Sequence, residues 1–258
     1  MYAKAIAVAN QKGGVGKTTT ALSLGAALSM RGERVLIVDL DPHVCASVHL
    51  RFYPDDHSLT IFDIFQADSS QWADLWPRLI QRHEEQNCDV AMGHVRLSEL
   101  EGDLHERSRK GFILREALLN IRPRYDYIML DCPPHLGVLL VNAMVASDLL
   151  IMPIQTDFLA LHGLKLIFDT IRVLNKALPT PVAYRALATM YDRRTRASNN
   201  VLDLLRFKMA GAMFSSIIPL DTHFREASAI GRVIFDIAPE SRGAQAYAAL
   251  AEEVLALW

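Results

Sequence analysis

Gln11-Lys12-Gly13-Gly14-Val15-Gly16-Lys17-Thr18-Thr19 stands between an apolar run, Ala5 to Ala9, and a helix-like run, Thr20 to Met30. A strand, a glycine-rich turn and a helix, in that order, cradle nucleotide phosphates. Successive backbone N–H groups face inward, and the helix N-terminus adds partial positive charge. In that frame Gly13, Gly14, Val15, Gly16 and Thr19 belong to the cradle, Lys17 reaches the β- and γ-phosphates, and the Thr18 hydroxyl ligates Mg²⁺. The bland alternative is an ordinary glycine turn with exposed lysines, and Gly-Lys-Thr-Thr at a strand-to-helix junction speaks against it. The stretch departs from the usual pattern at its start: Gln11 stands where a glycine is expected, and an additional lysine, Lys12, follows.

Downstream, Arg34 to Asp39 is a short β-branched run of the kind found in strands covered on both faces, and it completes a βαβ unit. Asp39-Leu40-Asp41-Pro42 closes that strand at its carboxyl end, where ligand groups gather in open α/β sheets. Two carboxylates there either hold a metal-bound water and orient an attacking one, or serve a turn through local hydrogen bonds. Tyr125 to Asp131 repeats the theme: an apolar strand ends in an aspartate, and Pro133-Pro134 stop it. An aspartate so placed accepts hydrogen bonds from the waters around Mg²⁺.

Half of the 258 residues are hydrophobic, enough for a large core, and the net charge of −2 leaves any basic surface local. Three scattered cysteines (Cys45, Cys88, Cys132) suit a reducing cytosol, and no C-x-x-C pair supports a metal cluster. The chain enters its first strand too soon for a signal peptide. Leu136 to Pro153 is apolar but interrupted by Asn142, Ser147 and Asp148. It reads as a buried helix, Leu136 to Ala146, then a strand, Leu149 to Pro153, and not as a membrane span.

The pattern further predicts a short helix capped by Ser58 and running through Phe65, a packed Trp72-Leu75-Trp76 cluster, and a strand over Cys88 to Met92. Glu101 to Lys110 reads as a solvated loop or helix end. His83, His94 and His105 lack metal-ligand spacing and read as surface or structural residues. A long helix (Ala160 to Leu178), two strands (Val182 to Met190 and Phe214 to Ile218) and an amphipathic closing helix (Ser241 to Trp258) follow. Between Arg185 and Lys208 lie six basic residues (185, 193, 194, 196, 206 and 208) against two acidic ones (192 and 203). They either touch a phosphate backbone without reading sequence or form a solvated face. No linker or repeat divides the chain, so residues 1–258 read as a single P-loop α/β domain: a mostly parallel twisted sheet with helices on both faces, and no N-terminal helix-turn-helix extension.

With these pieces in place the chain resembles the ParA/Soj family of partitioning ATPases, within the deviant-Walker group that includes MinD. The resemblance rests on Gln11 to Thr20, Val38 to Pro42, Tyr125 to Pro134, Pro153-Ile154-Gln155, Thr189 to Thr195, Ile218-Pro219 and Ser241 to Ala244, in the family's order. It implies an ATPase with ATP and Mg²⁺ as cofactors, closing as a homodimer with the nucleotides sandwiched between subunits. Lys12 is then the signature lysine that crosses to the neighbour's phosphates, a cation acting in trans like an arginine finger, worth on the order of 10³-fold or more in rate. Lys12, Lys17 and Asp41 form the implied catalytic set, with Asp41 positioning the hydrolytic water. Thr18, Asp39 and Asp131 form the Mg²⁺ shell, and Pro219 adds a nucleotide contact.

The implied partners are non-specific double-stranded DNA, held by Arg193, Arg194, Arg196 and Arg225, and a ParB-like or cargo-adaptor protein that stimulates hydrolysis. Chromosome, plasmid or a large protein complex is the implied cargo, and the location is cytoplasmic and nucleoid-associated. Two departures stand out. Leu220 and His223 replace arginines usual after Ile218-Pro219, with Arg225 and Arg232 nearby, and His43-Val44-Cys45 replaces Gln-Gly-Asn. The rival readings are a MinD-like membrane switch and a metal-cluster or metabolic ATPase. The first calls for a basic amphipathic tail, whereas Tyr247 to Trp258 is acidic; the second calls for paired interface cysteines.

Overall fold

The computed structural model describes residues 2–104, 108–158 and 160–258, without the side chains of residues 160–164. Its eight strands are β1 (Lys4–Val8), β2 (Val35–Asp39), β3 (Ile80–His83), β4 (Cys88–Ala91), β5 (Tyr127–Asp131), β6 (Leu149–Gln155), β7 (Tyr184–Tyr191) and β8 (Met213–Pro219). They form one sheet in the order β3-β4-β2-β5-β1-β6-β7-β8. Every described pairing is parallel except β3 with β4. Strands β2 to β5 all lie on one side of β1 and β6 to β8 on the other, so the winding of the sheet reverses at β1. The carboxyl end of β1 is therefore the switch-point crevice where such sheets bind ligands.

Both faces of the sheet are covered. On β1, Ala5 and Ala7 join one core layer with Leu36, Val38, Trp76 and Leu140, while Ile6 and Val8 join the other with Ile37, Leu24 and Tyr247. Alternate residues thus point to opposite layers, yet all are apolar, as a doubly covered parallel sheet requires. The helix Lys17–Ser29 lies in the second layer and is buried along nearly its whole length. At Gly25 a Cβ would come within 2.7 Å of Ile37 Cδ1, so glycine there lets helix and strand approach.

The closing helix Arg242–Leu255 packs on β8 and on Lys17–Ser29. Its Tyr247 hydroxyl meets Thr20 Oγ1 at 2.9 Å in full burial. The apolar face of this helix is thus consumed by the core, and Trp258 packs toward Tyr127 and Lys4. Among the described residues no helix is long and apolar enough to cross a membrane.

Several local expectations are corrected. The first helix begins at Lys17, not Thr20, because Gly16 at φ 92° turns the chain straight into it. Thr60, not Ser58, caps the helix Ile61–Gln66: Phe62 N donates to Thr60 Oγ1, and Thr60 N donates back to Asp63 Oδ2 at 2.8 Å. Ser58 is engaged in its own turn, donating to Asp55 Oδ1 at 2.8 Å. Strand β3 carried no apolar signal, since Gln81 and Arg82 are exposed on the sheet edge.

Trp72 and Trp76 are buried as expected, their indole N–H groups donating to Ile64 O and Ala117 O. His83 and His94 are buried structural residues that accept backbone N–H groups of Gln86 and Arg96; His105 lies outside the described residues. Within the charged stretch, Glu101 is no free surface charge, for it accepts the N–H of Val138 at the start of the helix Val138–Ala146.

Candidate functional site

The strand register sets the site's floor. Val8 pairs with Asp131 across β1 and β5, and Asp39 pairs with the same Asp131 across β2 and β5. The glycine turn, Asp39 and Asp131 therefore meet at one level of the carboxyl edge, although they lie far apart in sequence. Gly14 (φ 73°) and Gly16 (φ 92°) hold left-handed angles that give the turn its inward curl. The loop is strapped to its neighbours at two points. Asn10 Nδ2 donates to Pro153 O at 2.7 Å and Thr189 Oγ1 donates to Val15 O at 2.9 Å. Neither strap is legible in the sequence as part of the site, because each joins segments more than 140 residues apart.

Lys17 is buried and lines a cavity of about 730 Å³ together with Gly13, Thr18, Thr19 and Asp41. That volume lies in the range of small-molecule sites, about 300–1,000 Å³. A second cavity of about 450 Å³, lined by Val15, Thr189, Ile218, Pro219 and Phe224, adjoins it through Gly16, Thr19 and Met190. The first offers cations and hydroxyls and the second mainly apolar surface, which matches the phosphate and base ends of a nucleotide.

The two lysines behave differently. Lys17 Nζ stays in the loop, 3.5 Å from Lys12 O. Lys12 Nζ turns away, donating to Gln155 Oε1 at 3.2 Å at the end of β6 and to Asp157 Oδ2 at 2.7 Å just beyond it. Neither partner was anticipated as a site residue, although Gln155 belongs to a segment that carried the resemblance.

Thr18 Oγ1 donates to Asp131 Oδ2 at 2.7 Å, while Asp131 Oδ1 is buried without a hydrogen-bond partner. An orphaned buried carboxylate oxygen beside a hydroxyl is a fitting donor set for Mg²⁺ and its waters. Burial, reinforced by Asp39 nearby, holds the Asp131 carboxyl well above its ordinary range.

Asp39 is saturated from within. Its Oδ2 accepts Ser47 N at 2.8 Å and Ser47 Oγ at 2.7 Å, and its Oδ1 accepts Asp41 N at 3.2 Å. Ser47 Oγ in turn accepts Gly93 N, and a Cβ on Gly93 would come within 2.9 Å of Asp39 O. Asp39 thus ties β2 to β4, with burial raising it to about 6. Asp41 Oδ1 accepts both the backbone N–H and Nδ1 of His43, each at 2.9 Å. The local turn that the Asp-x-Asp-Pro segment allowed is therefore present, on a residue that also lines the cavity.

The basic window is split by the fold. Arg193, Arg194 and Arg196 are exposed beyond the carboxyl end of β7. Arg185 sits near the start of that strand, over the Phe214 ring. Arg206 and Lys208 lie in the last turn of the helix Arg196–Lys208, about 20 Å from its start. Arg194 is paired in bidentate fashion with Asp192, holding that carboxyl at about 2. Arg242 lines a cavity of about 700 Å³ with Arg193 and Arg194 and was missed, because it is distant in sequence. Arg225 faces the neighbouring 450 Å³ cavity instead. Leu220 borders both, His223 is bound to Asp221 at 2.6 Å, and Arg232 is engaged by Glu85.

Comparison with known proteins agrees with this geometry. A family model, the AAA domain, matches residues 3–183. The chain is 37% identical over 254 residues to the sporulation initiation inhibitor protein Soj of Bacillus subtilis, covering 98% of both chains. It is 37% identical to the chromosome partitioning protein ParA of Caulobacter vibrioides, over 98% of this chain and 94% of that one. Among solved structures, cobyrinic acid a,c-diamide synthase from Mycobacterium smegmatis with bound ADP and magnesium superposes with a TM-score of 0.83 at 31% identity, over 99% of this chain and 95% of that one.

Proposed function

The chain belongs to the ParA/Soj family of partitioning ATPases, and on that premise we propose that it is an ATP-timed dimerising switch that holds DNA without sequence preference and positions a cargo. The observation that carries this reading is the pair of lysines on one glycine turn. Lys17 faces the cavity, while Lys12 points away from it to Gln155 and Asp157. A cation on the phosphate loop that does not serve its own cavity suits a site completed by a second subunit.

The roles follow from position. The turn and Lys17 bind the phosphates, and the apolar cavity ending at Pro219 receives the base. Thr18 and Asp131 hold Mg²⁺, which supplies charge neutralisation for the β- and γ-phosphates. Asp39 acts through Asp41 and Ser47 as a positioning residue, tying the end of β2 to the segment that follows β4. Asp41 orients the attacking water, and Lys12 from the partner steadies charge that develops on the phosphoryl group. Arg193, Arg194, Arg196 and Arg242 form the backbone-contacting surface, with Arg225 beside it. All 258 residues act as one domain in this scheme.

DNA retention measured with ATP, ADP and no nucleotide tests the proposal, with Lys12→Ala and Asp41→Ala alongside the wild type. Retention is expected with ATP alone, loss with Lys12→Ala, and a persistent ATP-bound dimer with Asp41→Ala. Equal retention in all three nucleotide states would overturn the switch.

A further inference from the structure

Five non-glycine residues among the described ones adopt left-handed backbone angles: Val44, Arg51, Asn87, Arg109 and Met190. Three cluster at the larger cavity. Arg51 (φ 61°) and Met190 (φ 52°) line it, and Val44 (φ 56°) lies between His43 and Cys45, which also line it. Such angles cost free energy for a bulky side chain and collect where function demands them. Arg51 is the one cation in this group at the cavity.

Its surroundings are shaped around it. A Cβ on Gly231 would lie 2.4 Å from Arg51 Nε, 2.5 Å from Cγ and 2.7 Å from Cδ. The arginine stem therefore lies directly on the Gly231 backbone, in a turn that a side chain would block. Arg232, the next residue, is paired with Glu85, whereas Arg51 has no ion-pair partner among the described residues. A guanidinium pinned along its stem, lacking a carboxylate and bordering the cavity that Lys17 and Thr18 also line, is pre-organised for an anion.

We infer that Arg51 is a second cationic ligand for the phosphate chain of the nucleotide that the P-loop holds. The inference rests on the proposed nucleotide site and adds a residue to it. Asp41 is the carboxylate lining the same cavity; its Oδ1 is engaged by His43, and no ion pair joins it to Arg51 among the described residues. A charge-assisted hydrogen bond to phosphate is worth roughly ten- to a hundredfold in affinity.

The test is calorimetric binding of a non-hydrolysable ATP analogue and of inorganic tripolyphosphate, both with Mg²⁺, to wild type, Arg51→Gly and Arg51→Lys. Arg51→Gly is expected to raise both dissociation constants by about tenfold or more, and Arg51→Lys by less. Glycine is at ease at this backbone angle, so the unliganded thermal midpoint of Arg51→Gly is expected to equal or exceed that of wild type. Should that midpoint fall, Arg51→Asn, also tolerant of the left-handed region, replaces it in the same titrations. Unchanged affinity for both probes in a folded variant overturns the inference, as does a loss confined to the ATP analogue, which would move the contact to base or ribose. Failure of the wild type to bind either probe would instead sink the P-loop reading itself, and this inference with it.

Discussion

Asp157→Asn isolates the hold that the monomer keeps on Lys12. The ion pair spans 2.7 Å, with side chains 30% and 38% exposed, so solvent screens much of its Coulomb energy. Pairs of this kind contribute roughly 0.2–1 kcal/mol. If Lys12 leaves Asp157 for the partner's phosphates, the substitution relieves the monomer of a contact that competes with dimerisation. Two lysines are released per dimer, so the association constant with nucleotide is expected to rise by about 2- to 30-fold. Sedimentation velocity across a protein concentration series, with a non-hydrolysable ATP analogue, measures it directly. Asp157 makes other contacts, so the same substitution is repeated in a Lys12→Ala background, where the gain should vanish. A gain that survives without Lys12, or a folded Asp157→Asn protein that dimerises no better than wild type, would refute the competition.

Other outcomes follow from single contacts. Tyr247→Phe strands the fully buried Thr20 hydroxyl and is expected to cost about 1–2 kcal/mol in urea titration with an unchanged slope; a cost near zero would mean Thr20 has another partner. Asp39 and Asp131 keep protons that the unfolded chain has already released, since burial raises both. The stability Asp39 contributes is therefore lost as pH rises from about 4 toward about 6, Asp131 adds a loss of the same sign, and Mg²⁺ with nucleotide should raise the thermal midpoint more at about pH 8 than at about pH 5. A flat profile in scanning calorimetry would contradict that sign. Arg194→Glu and Arg242→Glu are each expected to weaken DNA retention while leaving basal ATP turnover within about twofold; unchanged retention at moderate salt would make this a solvated surface. Lys17→Ala should abolish ATP binding by calorimetry, and tight binding by that variant would undo the P-loop assignment.

The chemistry of the loop was legible because it is local. Left-handed glycines, a lysine and a hydroxyl act within nine consecutive residues, so their order in the chain is their order in space. The strands ending in Asp39 and Asp131 were legible for a related reason: short, wholly apolar runs closed by a carboxylate mark strands covered on both faces. Edge strand β3 carried no such signal, since an exposed antiparallel edge is free to be polar. The cap at Thr60 was displaced by two residues because both Ser58 and Thr60 have the needed hydroxyl, and only the Asp55 turn decides which is available.

Lys12 marks the boundary between the two kinds of information. Its presence, and the resemblance built on it, came from the sequence alone. Its partners did not, since Gln155 and Asp157 arrive beside it only through the pairing of β1 with β6. The same holds for Ser47 and Gly93 on Asp39, for the division of the basic window between two ends of the sheet, and for Arg51 against Gly231. Each is a contact between segments that a one-dimensional pattern leaves independent. Sheet order and register, set by burial of two apolar layers at once, decide which of them meet.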